Sequence, residues 1–214
     1  MSIKIEVWGD YACFTRPEMK VERVSYDIMT PSAARGIMES IFWHPGLRYH
    51  IDKIYLLSPI QFTNIRRNEV ESTISMSSAL TAMKKGRPLA LYSSEERQQR
   101  AAMVLKDVHY VIEAHFTMTD RAAPSDNPGK FQDILRRRTR AGQAYSQPYF
   151  GCREFPAHFR EWADGEVPTL PVTQDLGFML YDMDYSNPQD IQPRFFRAKL
   201  VNGVMVTSDC EVYT

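Results

Sequence analysis

At 214 residues, with 26 basic and 26 acidic side chains, the chain carries no formal net charge, so any polyanion must be held by a local patch rather than by overall charge. That length suffices for one sizeable core with a small appendage, and 43% apolar with 24% charged residues is ordinary for a soluble globular protein. No run of about 18 apolar residues occurs, so neither a membrane span nor a membrane partner is expected. Ile3, Ile5 and Val7 alternate with Lys4, Glu6 and Trp8, which predicts a half-buried strand ending at Gly9. Charges within that stretch exclude a signal peptide. Thr30-Pro31 then supplies the N-cap and first position of a helix whose buried stripe is Ala33, Ala34, Ile37, Met38 and Ile41, stopped by Pro45-Gly46. A second strand follows from Arg48 to Leu57.

Residues 63–107 are expected to be an insertion, with loop at Ser75-Met-Ser-Ser78 and a helix from a Ser93–Glu96 capping box through Leu105. The third strand has the cleanest alternation: Val108, Tyr110, Ile112, Ala114 and Phe116 on one face, His109, Val111, Glu113 and His115 on the other. Asn127 to Gly142 is predicted to be a basic helix, opened by Pro128-Gly129 and closed by Gly142, with Phe131, Ile134 and Leu135 inward. It concentrates Lys130, Arg136, Arg137, Arg138 and Arg140 against one acid, Asp133. A fourth strand is expected across Tyr149–Phe155. Without the insertion the order is β-α-β-β-α-β: an α+β, ferredoxin-like (RRM-type) domain over residues 1–157, with a small β-rich extension over 158–214.

Cys13, Cys152 and Cys210 are odd in number and scattered, which points to a reducing, cytoplasmic setting without a disulfide or zinc framework. No cofactor motif is present, and His109, Glu113 and His115 are spaced too far along a strand for a compact metal site. The basic helix, with Arg66 and Arg67 in the insertion, offers phosphate contacts; Trp8, Tyr11, Trp43 and Tyr49 are candidate stacking residues.

Several ordered segments carry a resemblance. They are Gly9-Asp-Tyr-Ala-Cys-Phe-Thr-Arg-Pro17, Thr30-Pro-Ser-Ala-Ala-Arg-Gly-Ile37, Glu39-Ser-Ile-Phe-Trp-His-Pro45, Arg66-Arg-Asn-Glu69, Glu113-Ala-His-Phe116, Gly129-Lys130, Gly151-Cys-Arg-Glu154 and Asp175-Leu-Gly177. Together they resemble the CRISPR-associated endoribonuclease of subtype I-C systems, the d-type member of the fifth Cas family (RAMP superfamily). The resemblance implies binding and cutting of the repeat hairpin of precursor CRISPR RNA by metal-independent attack of a ribose 2′-hydroxyl. It also implies that the protein stays with the mature crRNA beside other subunits of a surveillance complex that finds foreign DNA; duplex DNA as a partner of this chain itself belongs to the competing reading of a pure binding module.

The family pattern places a Tyr or His before the Trp at the end of the first helix, and a Lys-His pair at the start of the basic helix. Here Phe42 and Phe131 stand at two of these positions, and Lys130 alone matches. A phenyl ring moves no proton, so three readings stay open: a substitute imidazole, a slow nuclease using cations alone, or an inactive RNA- or DNA-binding subunit. Retained cleavage is favoured, with Lys130 and His44 as catalytic candidates; His44 qualifies only if the first helix ends before it. Arg136, Arg137, Arg140, Arg66, Arg67 and Tyr49 are the RNA-binding candidates, with Arg97 and Arg100 in second rank.

Overall fold

The computed structural model describes residues 2–19, 21–163 and 165–214. Its elements run β1 (Ile3–Ala12), α1 (Pro31–Ile41), β2 (Leu47–Leu56), β3 (Phe62–Val70), α2 (Met76–Lys85), β4 (Arg97–Met118), α3 (Pro128–Ala141), β5 (His158–Glu161), β6 (Gln174–Asp184), β7 (Gln192–Val201), β8 (Val204–Val206) and β9 (Val212–Tyr213). The strands form one antiparallel sheet in the order β5-β1-β4-β2-β8-β7-β6, with β3 on the free half of β4 and β9 on β7.

Alternation decides what each strand buries. Ile3, Ile5 and Val7 of β1 join Val108, Tyr110, Ile112 and Ala114 of β4 in a core closed by Ala34, Ile37, Met38 and Ile41 of α1 and Phe131 and Leu135 of α3. The strand expected to end at Gly9 continues to Ala12, because glycine leaves room for the loop packed against it. A Cβ there would lie 2.8 Å from the Pro156 carbonyl oxygen and 2.9 Å from the Phe150 ring. The C-terminal strands extend the same sheet, since Tyr55 of β2 pairs with Val204 of β8. They also reach α1, where Arg35 grips Asp182 of β6 through both carboxylate oxygens (2.7 and 3.0 Å).

Three expectations need correction. No helix runs from Ser93 to Leu105: residues from Arg97 onward are the first half of β4, and Arg97 to Leu105 pair with the whole of β3 to form a two-stranded ribbon. The Ala- and Gln-containing stretch favours helix locally, but pairing along all of β3 satisfies its backbone instead. Glu96, expected to complete a capping box, accepts a hydrogen bond from Ser72 across the mouth of the ribbon (2.9 Å). Met76 to Ser78 are not loop but the first turn of α2, which Ser75 caps, its hydroxyl accepting from the Ser78 N–H at 3.1 Å. Tyr149–Phe155 is no strand either. It turns at Gly151 (φ +79°), where a Cβ would fall 2.0 Å from the Cys13 carbonyl oxygen, and β5 takes the place beside β1.

On the sheet face away from the helices, Glu6 is buried and accepts from Arg160 (Nη2 at 3.0 Å) and pairs with His109 Nε2 at 2.7 Å. Burial pushes its carboxyl up, but Arg160 and His109 together outweigh that and hold it below its usual 4.5. A carboxyl lowered on folding stabilises the protein above its unfolded value and loses that contribution as pH falls through the folded one. Because Arg160 is largely exposed, the gain is discounted: Glu6→Gln should cost about 1–2 kcal/mol at pH 7 by urea unfolding. The gap between the two proteins should close as pH falls below 4.5.

Candidate active site

The end of α1 is built for a sharp exit. Phe42 leaves the helix in an extended conformation (φ −149°), so the helix stops before His44. The last carbonyls are satisfied from elsewhere: Arg138 donates to Ile41 O at 2.7 Å, and the Tyr49 hydroxyl donates to Phe42 O at 2.8 Å. A Pro45-Gly46 turn follows, and the Gly46 N–H donates to His44 Nδ1 at 3.0 Å. Thr119 fastens the next loop onto this turn, its hydroxyl on Pro45 O (2.6 Å) and its N–H on Gly46 O (3.0 Å). Contact is so close that a Cβ on Gly46 would lie 2.8 Å from Ala122 Cα.

That loop delivers Asp126 and then α3. Asn127 caps the helix through the Lys130 N–H (2.9 Å), which fixes Lys130 in the first turn. One oxygen of Asp126 accepts from the Lys130 ammonium at 2.8 Å; the other accepts from the Ala123 N–H at 2.9 Å and faces His44 Nε2 at 3.9 Å. The Asp126 side chain is only 3% exposed, and the Lys130 bond, with the Ala123 N–H, holds its carboxyl below the usual range. His44 therefore meets Lys130 around one covered carboxylate.

The imidazole is oriented on both sides. Since Nδ1 accepts a backbone N–H, the ring carries its proton on Nε2, so in this state His44 donates rather than accepts. Beneath it lies an apolar floor: His44 packs on Phe131 (4.8 Å between centroids), and Phe131 on Phe42 (5.8 Å) and Phe116 (6.3 Å). Phe42 and Phe131 are both buried, so the two positions expected to be polar serve as this floor. Beside them the Trp43 ring is exposed.

The arginines of α3 divide by role. Arg136 and Arg140 share Glu161 of β5, Arg136 at 3.7 Å. Arg138 turns inward and lies over the Phe42 ring at 5.3 Å. Arg137 is exposed and forms no ion pair among the described residues. The helix is thus less positive than its sequence, because Asp126 and Glu161 pair with three of its cations and offset two of their charges.

Arg66 and Arg67 are brought to neither His44 nor Lys130. They pair with Ala101 and Arg100 on the ribbon, whereas His44 and Lys130 sit by the far end of β4, where Leu47 pairs with Met118. At about 3.3 Å per residue, Ala101 and Met118 are on the order of 50 Å apart along the strand, less the bend at Asp107 (φ 52°). Arg66 and Arg97 point to the exposed ribbon face; Arg67 packs on Phe155 (4.9 Å) and pairs with Glu154; Arg100 donates to Gln98. Tyr49 corrects an expectation. It is 2% exposed with its hydroxyl engaged, and burial pushes that hydroxyl's pKa up, so it offers no face to a base.

Asp126 escaped the sequence reading, and Arg138, named there only among the cations of the basic helix, turns inward instead. Asp126 had a signal, standing four residues before Lys130 and so on the same helical side. Arg138 shares the inward stripe with Leu135 and Phe131. Among the described residues no group of three or more His, Cys, Asp or Glu side chains is placed to hold a metal ion. His109 pairs with Glu6, Glu113 with Tyr55 and His115 with Asp52.

Comparison with known proteins gives concordant matches. A family model for CRISPR-associated protein (Cas_Cas5), of the Cas5d type, matches residues 2–206. The CRISPR pre-crRNA endoribonuclease Cas5d of Mannheimia succiniciproducens is 51% identical over 213 residues, covering 95% of this chain and 93% of that protein. The protein of the same description from Thermus thermophilus is 43% identical over 183 residues, covering 86% and 73%. A solved crystal structure of a CRISPR-associated protein superposes with a TM-score of 0.70 at 20% identity, over 100% of this chain and 97% of that one, which is a likeness of fold.

Inward and outward arginines of α3 should behave differently. Arg138→Ala removes a bond to a helix-end carbonyl and a cation over Phe42, so urea unfolding should show a loss of about 1–2 kcal/mol. Arg137→Ala should stay within about 0.5 kcal/mol of the parent.

Proposed function

The chain belongs to the Cas5d family of CRISPR-associated proteins, and from that premise we propose that it is an endoribonuclease that cuts precursor CRISPR RNA at its repeat hairpin. The observation that carries the assignment of the site is the meeting of Lys130 and His44 around Asp126, at the junction of α1 and α3. Attack by the 2′-hydroxyl on the neighbouring phosphate passes the hydroxyl proton to water, develops negative charge on the phosphate oxygens, and leaves the departing 5′ oxygen to take a proton from water. Lys130 spends one N–H on Asp126 and keeps two for the phosphate. His44, carrying its proton on Nε2, is a hydrogen-bond donor to the phosphate oxygens as they gain charge. Exposed Trp43 lies next to His44, where a flanking base can stack.

Binding is assigned to Arg136, Arg137 and Arg140, with Glu161 released or shared when phosphate arrives. Arg66 and Arg97 on the ribbon form a distant second contact, so an RNA touching both regions is elongated along β4. The order β5-β1-β4-β2 with α1 and α3 supports a ferredoxin-like reading of this part of the sheet. In that reading the boundary expected at residue 157 moves beyond β5, and the C-terminal strands form the extension. Retention beside the mature guide in a surveillance complex is supported by α2, which buries none of its residues and leaves Met76, Leu80 and Met83 exposed for another subunit. In this reading the protein works where CRISPR transcripts are made, in the cytoplasm, and duplex DNA is a further ligand proposed through the surveillance complex.

A second reading is favoured by one observation: Phe42 and Phe131 are buried against each other and supply no proton donor or acceptor. In that case the chain binds the guide without cutting it. End-labelled repeat RNA incubated with the protein in EDTA separates the two. A single cut, abolished by deoxyribose at the cut site, is the expected result, with a cyclic phosphate end. Binding without a cut establishes the second reading. Lys130→Ala and His44→Ala should each slow cleavage by about 10²-fold or more while affinity stays within a few-fold. Neutralising Arg136 and Arg137 together should weaken binding to all RNA sequences and reduce the salt slope by about 1.5; an unchanged slope removes them from the interface.

A further inference from the structure

We infer that Asp126 is a positioning residue for the cleavage reaction, holding the Lys130 ammonium and the His44 imidazole at the separation at which both reach one scissile phosphate. The inference rests on the reading of Lys130 and His44 given above. Asp126 itself is placed where RNA does not touch it: its side chain is 3% exposed, beneath the two donors, and the Ala123 N–H anchors one oxygen at 2.9 Å. A carboxylate competing with phosphate would sit on the solvent side of Lys130. This one sits behind it.

Two costs make such an anchor useful. A lysine side chain has four rotatable bonds, and ordering it forfeits much of its rotamer freedom. Ordering paid in the folded protein is not paid again in the transition state, where a displacement of about 1 Å costs on the order of 10²-fold. His44 is already fixed at Nδ1 by Gly46, and the Asp126 oxygen 3.9 Å from Nε2, beyond hydrogen-bond reach, acts on the ring through its negative charge and leaves the Nε2 proton for the phosphate. The same loop that Thr119 fastens to the His44 turn carries Asp126, so both donors depend on one short segment.

The charge balance yields a distinguishing test. Asp126→Asn is isosteric and adds one positive charge to the site. Its amide oxygen can keep the Ala123 N–H, but its NH2 then opposes the Lys130 ammonium and releases it. RNA affinity should therefore hold or tighten while single-turnover cleavage falls about 10- to 100-fold. Asp126→Glu keeps the charge, moves the carboxylate by one methylene, and should also slow cleavage without weakening binding. In Asp126→Asn/Lys130→Ala, the two losses should fall short of multiplying, because the carboxylate acts partly through that lysine. Unfolding midpoints close to the parent's keep either variant interpretable.

Parent-like cleavage by both Asp126 variants, with Lys130→Ala slow, overturns the positioning role and leaves the site standing. Fully multiplicative losses, or a fall in affinity matching the fall in rate, overturn it in favour of a general defect in the loop. Parent-like cleavage by Lys130→Ala removes the reading of the site, and this inference with it.

Discussion

The backbone of β4 is the constraint on which the rest of the structure depends. Along its C-terminal half it exchanges hydrogen bonds with β1 on one edge and β2 on the other, and along its N-terminal half with β3. A strand bonded on both edges cannot slip by one residue without turning Val108, Tyr110, Ile112 and Ala114 away from the core. Its register therefore fixes where α1 and α3 lie, and its length sets the distance between the ribbon arginines and the α1–α3 junction. The same strand separates two surfaces that a linear reading of the arginines would merge.

At that junction the apolar and ionic parts depend on each other. Phe42, Phe116 and Phe131 form a dry floor that fixes one side of His44, while Asp126 draws the polar groups together on the other side. Replacing an acid–base residue by phenylalanine removes proton transfer but leaves the packing, and here it is the packing that orients the nearest imidazole. What remains is a site made of donors. Lys130 and His44 can stabilise a phosphate as charge develops on it, which is the electrostatic part of phosphoryl-transfer catalysis.

Membership in the Cas5d family and the disposition of α3 bear on each other. A helix nominally rich in cations is moderated by Asp126 and Glu161, acids placed by a loop and by an edge strand. Moderation of this kind lowers the positive field of the helix, and in the binding role proposed for Arg136 and Arg140 the phosphate has to compete with Glu161 for them. Arg137 stands outside these pairs at the surface.

From the sequence alone, the caps of α1 and α3 were legible, as were the alternation of β1 and the central part of β4. Each is set by neighbours within a few residues: Thr30 before Pro31, Asn127 before Pro128, Gly142 after the last turn. Tyr49 could have been placed in the core as well, since it alternates with Leu47 and Ile51. The ribbon could not. Residues 97–105 have the local preference of a helix, and only a partner strand far away in the chain makes them extended. The meeting of His44 with Asp126 and Lys130 was likewise beyond the sequence, because it needs α1 to end at Ile41 and the 119–126 loop to seat on Gly46. Local propensity specifies how a segment begins and stops; which charges face one another is decided by backbone pairing and close packing between segments distant in the chain.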